Sequence, residues 1–306
     1  MKENTIVTAC DKSYLWGAYI LVASLRLGGC KDKIHVLVDG FSESDRGLLM
    51  QFNDVKVIGV SEKSHKCMAM QKPDAILTAN TELVTWIDSD CMILGDISKY
   101  LRNSRDEFQI RVRGTCEMNE QYKRFYCSSD NVGEVPEYIL RAWSADVGEL
   151  HHPRMKKTIV NNCFVLNQDH MPFIKKWKSQ MNKVLSSDIQ LVDSRNKNYF
   201  MSDESVLSSM FAFSYDAPEV GGFMLDKDPS AYLVHFSLKP KPWQGWNINS
   251  YKNFDSLMNL LKEVKLHGLA LPHVPYSLRE QNKKICFADA YIYRYVRFIK
   301  GCLNII

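Results

Sequence analysis

The sequence predicts an α/β fold: a mixed, mainly parallel sheet flanked by helices, in one domain that ends in a helical C-terminal tail. Three observations predict it. Short apolar runs alternate with helix-periodic segments through the first half of the chain, the pattern of parallel strands joined by crossover helices. The runs stop on polar or turn residues, as Ile34–Val38 stops on Asp39-Gly40. A length of 306 residues, with 45% hydrophobic and 24% charged side chains, suits one large domain with a sizeable core.

In chain order, Ile6–Cys10 is the first strand, and a helical pattern follows from Tyr19 to Leu27, closed by Gly28-Gly29. Ile34–Val38 is the second strand, and Val55–Val60 alternates with a period near two. Pro73–Leu77 predicts a short helix and Leu83–Ile87 a buried strand. The stretch Thr115–Thr158 is polar, with Tyr122, Phe125, Tyr126, Tyr138 and Trp143 interspersed. It predicts loops and a short helix outside the sheet, forming a lid or a wall for a ligand. Strands return at Asn162–Leu166 and Tyr232–Phe236. Residues 1–270 are assigned to the domain and 271–306 to a basic, aromatic tail.

Several functions are excluded early. The nine cysteines are scattered without a CxxC pair, so a zinc ribbon or thioredoxin-like motif is not expected. They predict buried, reduced thiols of a cytosolic protein. Lys2 and Glu3 lead straight into a strand rather than a signal peptide, and no apolar run approaches the roughly 20 residues of a membrane span. A cytoplasmic location is the expectation. A net charge of +4 with no recognised binding module argues against nucleic acid. The turn after the first strand is Cys10-Asp11-Lys12-Ser13, which lacks the glycines of a dinucleotide-binding turn, and no P-loop is present.

In doubly wound sheets, ligands bind beyond the carboxyl ends of the strands, so polar residues just after apolar runs are the candidates. Asp88-Ser89-Asp90 directly follows Leu83–Ile87, and two carboxylates so placed can grip a hard divalent cation. Context separates this pair from Asp226-Lys227-Asp228, which lies between Gly221-Gly222 and Pro229. His235 ends a strand and can offer an imidazole to a metal, and Lys239 and Lys241, each followed by proline, present fixed positive charge. Asp11, one residue past the first strand, is either a helix cap or a ligand contact. Asp203-Glu204 is either a capping pair or a catalytic carboxylate.

Together these residues resemble the GT-A glycosyltransferases of family 8, the family of glycogenin and of bacterial lipooligosaccharide galactosyltransferases. The resemblance covers roughly residues 5–245. Ala9-Cys10-Asp11 with Tyr14, Lys72, Asp88-Ser89-Asp90 followed by Ile93 to Ile97, and His235 to Lys241-Pro242-Trp243 appear in the family's order. The histidine-to-KPW segment is the most specific match. The resemblance implies a GT-A fold and a retaining transfer of a hexose or N-acetylhexosamine from a UDP-sugar to a glycan acceptor. It implies Mn2+ or Mg2+ on Asp88, Asp90 and His235, donor contacts from Asp11, Lys72, Asp88 and Lys241, and catalytic roles for Asp203 and Glu204. The chain departs from the family at Leu238, where a glycine is usual, at Asn161-Asn162-Cys163, and at Glu204, where the galactosyltransferases carry glutamine. A non-catalytic sugar-binding or scaffold protein is the alternative.

The tail from Lys283 to Leu303 suits an amphipathic helix with an apolar stripe of Ile285, Ile292, Val296, Ile299 and Leu303. Tyr291, Tyr295 and Phe298 flank the stripe, and Arg294, Arg297 and Lys300 fall on the other side. This pattern suits peripheral contact with an anionic leaflet, where a lipid-linked glycan acceptor of lipopolysaccharide, O-antigen or capsule synthesis would be met. Packing of the helix on the domain is the competing reading.

Overall fold

The four apolar runs that open the chain become four neighbouring strands in the computed structural model, which describes residues 2–102, 107–114, 116–118, 120, 133–222 and 232–302. β1 (Asn4–Asp11), β2 (Lys33–Asp39), β3 (Val55–Gly59) and β4 (Leu83–Ile87) pair in parallel in the order β3-β2-β1-β4. β4 is buried at every residue, which is why its sequence is a continuous apolar run rather than an alternation. Beyond β4 the sheet reverses. β7 (Ile159–Asn167) lies antiparallel to β4, β6 (Phe108–Val112) antiparallel to β7, and the two-residue β8 (Val220–Gly221) parallel to β6. β5 (Cys91–Leu94) and β9 (Tyr232–His235) stand apart as a two-stranded antiparallel sheet, so the strand expected at Tyr232 does not join the main one.

Helices cover both faces of the large sheet. On one side α1 (Leu15–Leu27) packs against β5 and α9 (Phe254–Leu266), burying Ile20, Leu21, Met92, Val234, Leu257 and Leu261. Each fully buried aliphatic side chain contributes on the order of 1.5–3 kcal/mol. α1 begins at Leu15, four residues before the predicted start, and Leu15, Trp16 and Ala18 are buried like the residues that follow. It stops where expected: Gly29 takes φ +93° and the Cys30 amide bonds back to the Leu25 carbonyl at 3.0 Å. On the other side lie α3 (Lys72–Ile76), α5 (Glu137–Val147), α6 (Met171–Val184) and α7 (Ser202–Phe213). The remaining helices are α2 (Glu43–Met50), α4 (Ser98–Leu101) and α8 (Ile248–Tyr251), and α10 (Lys283–Cys302) ends the described chain.

The wall expected within Thr115–Thr158 is corrected at Trp143. That ring is buried in the core with Ile139 and Leu140, and its indole N–H donates to the Asn198 carbonyl at 2.8 Å. α5 packs against α7, so its tryptophan faces the protein rather than a ligand. Tyr138 is exposed. Tyr122, Phe125, Tyr126 and the second acidic pair at Asp226-Lys227-Asp228 lie outside the described residues.

One glycine ties α1 to the acidic turn. A Cβ at Gly17 would stand 2.6 Å from the Ser89 carbonyl and 2.7 Å from the Trp243 ring. Only the absence of a side chain lets the turn between β4 and β5 and the ring of Trp243 settle onto the helix.

The segment after Leu269 runs along α1. Tyr19 and Trp16 donate to the carbonyls of Ala270 and His273 at 2.7 and 3.0 Å, and Trp246 donates to Ser277 at 2.8 Å. α10 then docks by its first turns, with Cys286 and Ala290 buried and Phe287 against Tyr251 at a centroid distance of 5.3 Å. Past Ala290 the described side chains are exposed all round: Ile292 is 61% exposed, Tyr295 66% and Phe298 67%. The stripe of Ile285, Ile292, Val296 and Ile299 therefore faces solvent and not the domain. Leu303 lies outside the described residues. No helix among the described residues is long and apolar enough to cross a membrane.

Candidate active site

The antiparallel pairing of β5 and β9 sets the first constellation. Its register places Cys91 opposite His235, and the Phe236 amide donates to the Asp90 carbonyl at 2.9 Å. His235 Nε2 consequently lies 3.2 Å from Asp90 Oδ1 and 3.8 Å from Asp88 Oδ2. On the ring's other edge, the Asn162 side-chain amide is 3.3 Å from Nδ1 and fixes the ring's orientation. Burial works against charge on the His235 ring, but Asp90 and Asp88 outweigh it and raise its pKa. Burial likewise works to raise Asp90, yet His235 and Lys241 hold it well below the usual carboxylate range. Burial pushes Asp88 up, with Lys72 opposing.

Two carboxylates and one imidazole make a donor set for a hard divalent cation. Cys91 Sγ also lies within 4.8 Å of the Asp90 and His235 donor atoms. Burial pushes that thiol well up, which keeps it neutral and makes Asp88 Oδ2 the better third ligand for such an ion.

A second constellation joins the first through Lys72, the first residue of α3. Its ammonium is buried, lying 3.1 Å from Asp88 Oδ1, 3.0 Å from Asp203 Oδ2 and 2.9 Å from Asn161 Oδ1. Burial alone would drive the ammonium neutral, but the two carboxylates outweigh it and raise its pKa. Asn161 is placed by the pairing of β4 with β7, where the Asp88 amide bonds to the Asn162 carbonyl at 2.8 Å. Its side-chain amide donates to Asp203 at 2.7 Å and its backbone N–H to Glu204 Oε2 at 3.3 Å. Glu204 Oε1 accepts from Arg113, which follows β6. Asp203 and Glu204 stand in the first turn of α7 but make no capping bond there, so the capping reading is set aside. The preceding Ser202 is buried at φ +41°, a strained conformation for serine, held by its hydroxyl bond to the Gln190 carbonyl.

Lys241 closes the site from the other side. Its buried ammonium donates to Asp90 Oδ2 at 2.6 Å and to the Phe236 carbonyl at 2.5 Å, 5.8 Å from the Tyr14 ring. Tyr14 packs edge-on against Trp243 at 5.5 Å, and Trp243 donates to the Ser13 carbonyl at 3.0 Å. Asp11 caps this turn, accepting from the Ser13 amide at 2.8 Å and the Ser13 hydroxyl at 2.6 Å. The capping reading of Asp11 is thus realised, and any contact with a nucleotide would come beside that bond.

The structure gathers Asp88, Asp90, His235, Lys72, Lys241, Asp203 and Glu204 into one network and leaves Asp11 at its margin. Sequence reasoning missed Arg113 and the bridging role of Asn161. Four carboxylates meet three cations (Lys72, Lys241 and Arg113), and the imbalance is what favours a proton on His235; a metal ion taking that proton's place would meet one excess negative charge. That excess favours a bound cation. A polar cleft of about 240 Å³ opens beside His235, lined by Tyr232, Ser237, Leu238, Asn247 and Asn253. A larger cleft of about 650 Å³, between Val184 and Asn198, contains none of these network residues.

Two solved glycosyltransferase structures share this architecture. The bifunctional glycosyltransferase WbbM superposes with a TM-score of 0.55 at 14% identity, over 89% of this chain and 52% of its own. The glycosyltransferase GlyE of Streptococcus pneumoniae TIGR4 superposes with a TM-score of 0.50 at 14% identity, over 89% of this chain and 65% of its own. The fold is GT-A. The chain spans about half the length of WbbM and 65% of GlyE. No protein-family model matches the chain, and no curated protein matches it in sequence. Within the GT-A sheet, Asp88 and Asp90 sit at the carboxyl end of the central strand β4, where a ligand of an open α/β sheet is expected.

Proposed function

We propose that this chain is a metal-dependent glycosyltransferase that moves a hexose or N-acetylhexosamine from a UDP-sugar to a glycan acceptor, with retention at the anomeric carbon. The observation that carries this reading is the meeting of Asp88, Asp90 and His235 with Lys241 at the carboxyl end of β4. Held by those three ligands, Mn2+ or Mg2+ would supply positive charge toward a departing diphosphate. Lys241 brings a buried ammonium to the same place and neutralises phosphate oxygens as charge develops on them. Asp11 and Tyr14 offer the nucleoside end a polar turn and an aromatic face. Asp203 and Glu204 put negative charge under the sugar, where positive charge grows at the anomeric carbon. The acceptor hydroxyl attacks from the face the diphosphate leaves. Incubation with a panel of UDP-sugars and manganese is expected to release UDP slowly from one of them without acceptor. Silence across the panel would favour the non-catalytic reading.

α10 supports a place for this reaction. Exposed Tyr291, Tyr295, Phe298 and Ile292 beside Arg294 and Arg297 suit the headgroup region of an anionic cytoplasmic leaflet, with each basic residue contributing about 1 kcal/mol. A lipid-linked acceptor of lipopolysaccharide, O-antigen or capsule synthesis would be met there. The full chain is expected to float with anionic liposomes at low salt. The variant Tyr295→Glu/Phe298→Glu, altered only at exposed positions, is expected to stay behind. Equal flotation of both, or no effect of high salt, would make the helix structural.

A further inference from the structure

Resting on that reading, we propose that Arg113 is a positioning residue that supplies the counter-charge of the Glu204 carboxylate and fixes it beneath the proposed sugar position. Arg113 leaves the end of β6 and pairs through its guanidinium with Glu204 Oε1, while Glu204 Oε2 takes the Asn161 N–H at 3.3 Å. The carboxylate is buried and its two oxygens are held from β7 and from the segment after β6. The groups facing it are Arg113 from the segment after β6, Lys72 from α3, Asp203 beside it on α7 and the Asn161 backbone of β7. Lys72 is committed to Asp88, Asp203 and Asn161. Arg113 is therefore the cation in direct contact with Glu204 among the described residues.

Burial raises the Glu204 pKa above the ordinary value even beside Arg113, which is the principal influence limiting that rise. Without that guanidinium the carboxyl would take a proton and present a neutral, rotatable group where the chemistry calls for fixed charge. The geometry favours a site role over a stability role. Arg113 Nε is buried and makes no hydrogen bond among the described residues, so the side chain leaves part of its own capacity unmet in order to reach Glu204.

The test is a cycle of Arg113→Met, Glu204→Gln and the double variant, read by thermal midpoint at pH 5 and pH 8 and by manganese-dependent UDP-sugar hydrolysis. Burial already raises the folded-state pKa of Glu204 above its unfolded value of about 4.3 in the wild type, and in Arg113→Met it rises further. Below the unfolded value the carboxyl is protonated in both states and nothing is lost; the gap to wild type opens as pH rises from the wild type's raised value toward the variant's higher one. The midpoint gap to wild type is expected to be small at pH 5 and to widen by about 5 °C or more at pH 8. The double variant, having no buried charge to strand, is expected to show no such widening. Arg113→Lys keeps the charge and is expected to follow the wild-type profile. In hydrolysis, Arg113→Met is expected to lose at least about tenfold in kcat at pH 7 with donor KM changed less than about threefold. A gap equal at both pH values, or one that persists in the double variant, overturns the proposal. If no UDP-sugar is hydrolysed by the wild type, the functional reading fails while the midpoint cycle still decides the role of Arg113.

Discussion

Asp90→Asn is expected to lower manganese-dependent UDP release by about 100- to 1000-fold, because it removes one of two carboxylate charges from the cation site. His235→Ala should lose a comparable factor, and EDTA should abolish wild-type activity until manganese is restored. Asparagine is the informative replacement. Asp90 Oδ2 accepts from the buried Lys241 ammonium at 2.6 Å, and alanine would remove that acceptor altogether where asparagine keeps one. A fall in stability would then be mixed with the loss of metal. Asparagine keeps the volume and an acceptor oxygen, so the drop in turnover reports the ligand charge. The measurement is initial UDP release over a manganese titration, with the thermal midpoint of the metal-free protein as control. Wild-type turnover in excess EDTA would remove the metal from the reading altogether.

The parts of this site that are local in sequence were legible, and the parts made by tertiary pairing were not. Asp88 and Asp90 could be read because both follow one continuous apolar run that is buried on both faces. His235 could be singled out, but its approach to Asp90 depends on the four-residue β5, which follows the acidic turn so closely that no separate strand shows in the sequence. α7 gave no helical signal because all of its residues are buried, four of them serines, so it has no polar face to create a period. Arg113 was silent for a different reason: its partner is 91 residues away and neither residue predicts the other. Trp143 shows the converse error, since an aromatic in a polar stretch does not reveal which way its helix turns. Nor does anything around Ser202 announce a positive φ, where glycine, asparagine or aspartate would be expected.

Lys72→Met should produce the largest loss of stability of any single change in the network, about 3–5 kcal/mol, because it strands two carboxylates in the interior. Lys72 is only 3% exposed, and its ammonium lies 3.1 Å from Asp88 and 3.0 Å from Asp203. Methionine matches the length of the stem but supplies no charge and no donor. Asp88 would keep the indole N–H of Trp86 at 2.8 Å, and Asp203 the amide of Asn161 at 2.7 Å. A single neutral donor does not replace a cation against a buried anion, so the loss follows from charge rather than from packing. Lys72→Met/Asp203→Asn discriminates between the two causes. It removes one of the stranded charges while keeping the volume, and is expected to recover a substantial part of the lost stability. Urea unfolding of wild type, the two single variants and the double variant measures the coupling directly. Additive losses would mean that Lys72 acts as packing and that Asp88 and Asp203 are solvated in the folded chain. A strong coupling makes Lys72 the internal counter-ion of both Asp88 and Asp203, held at one buried point.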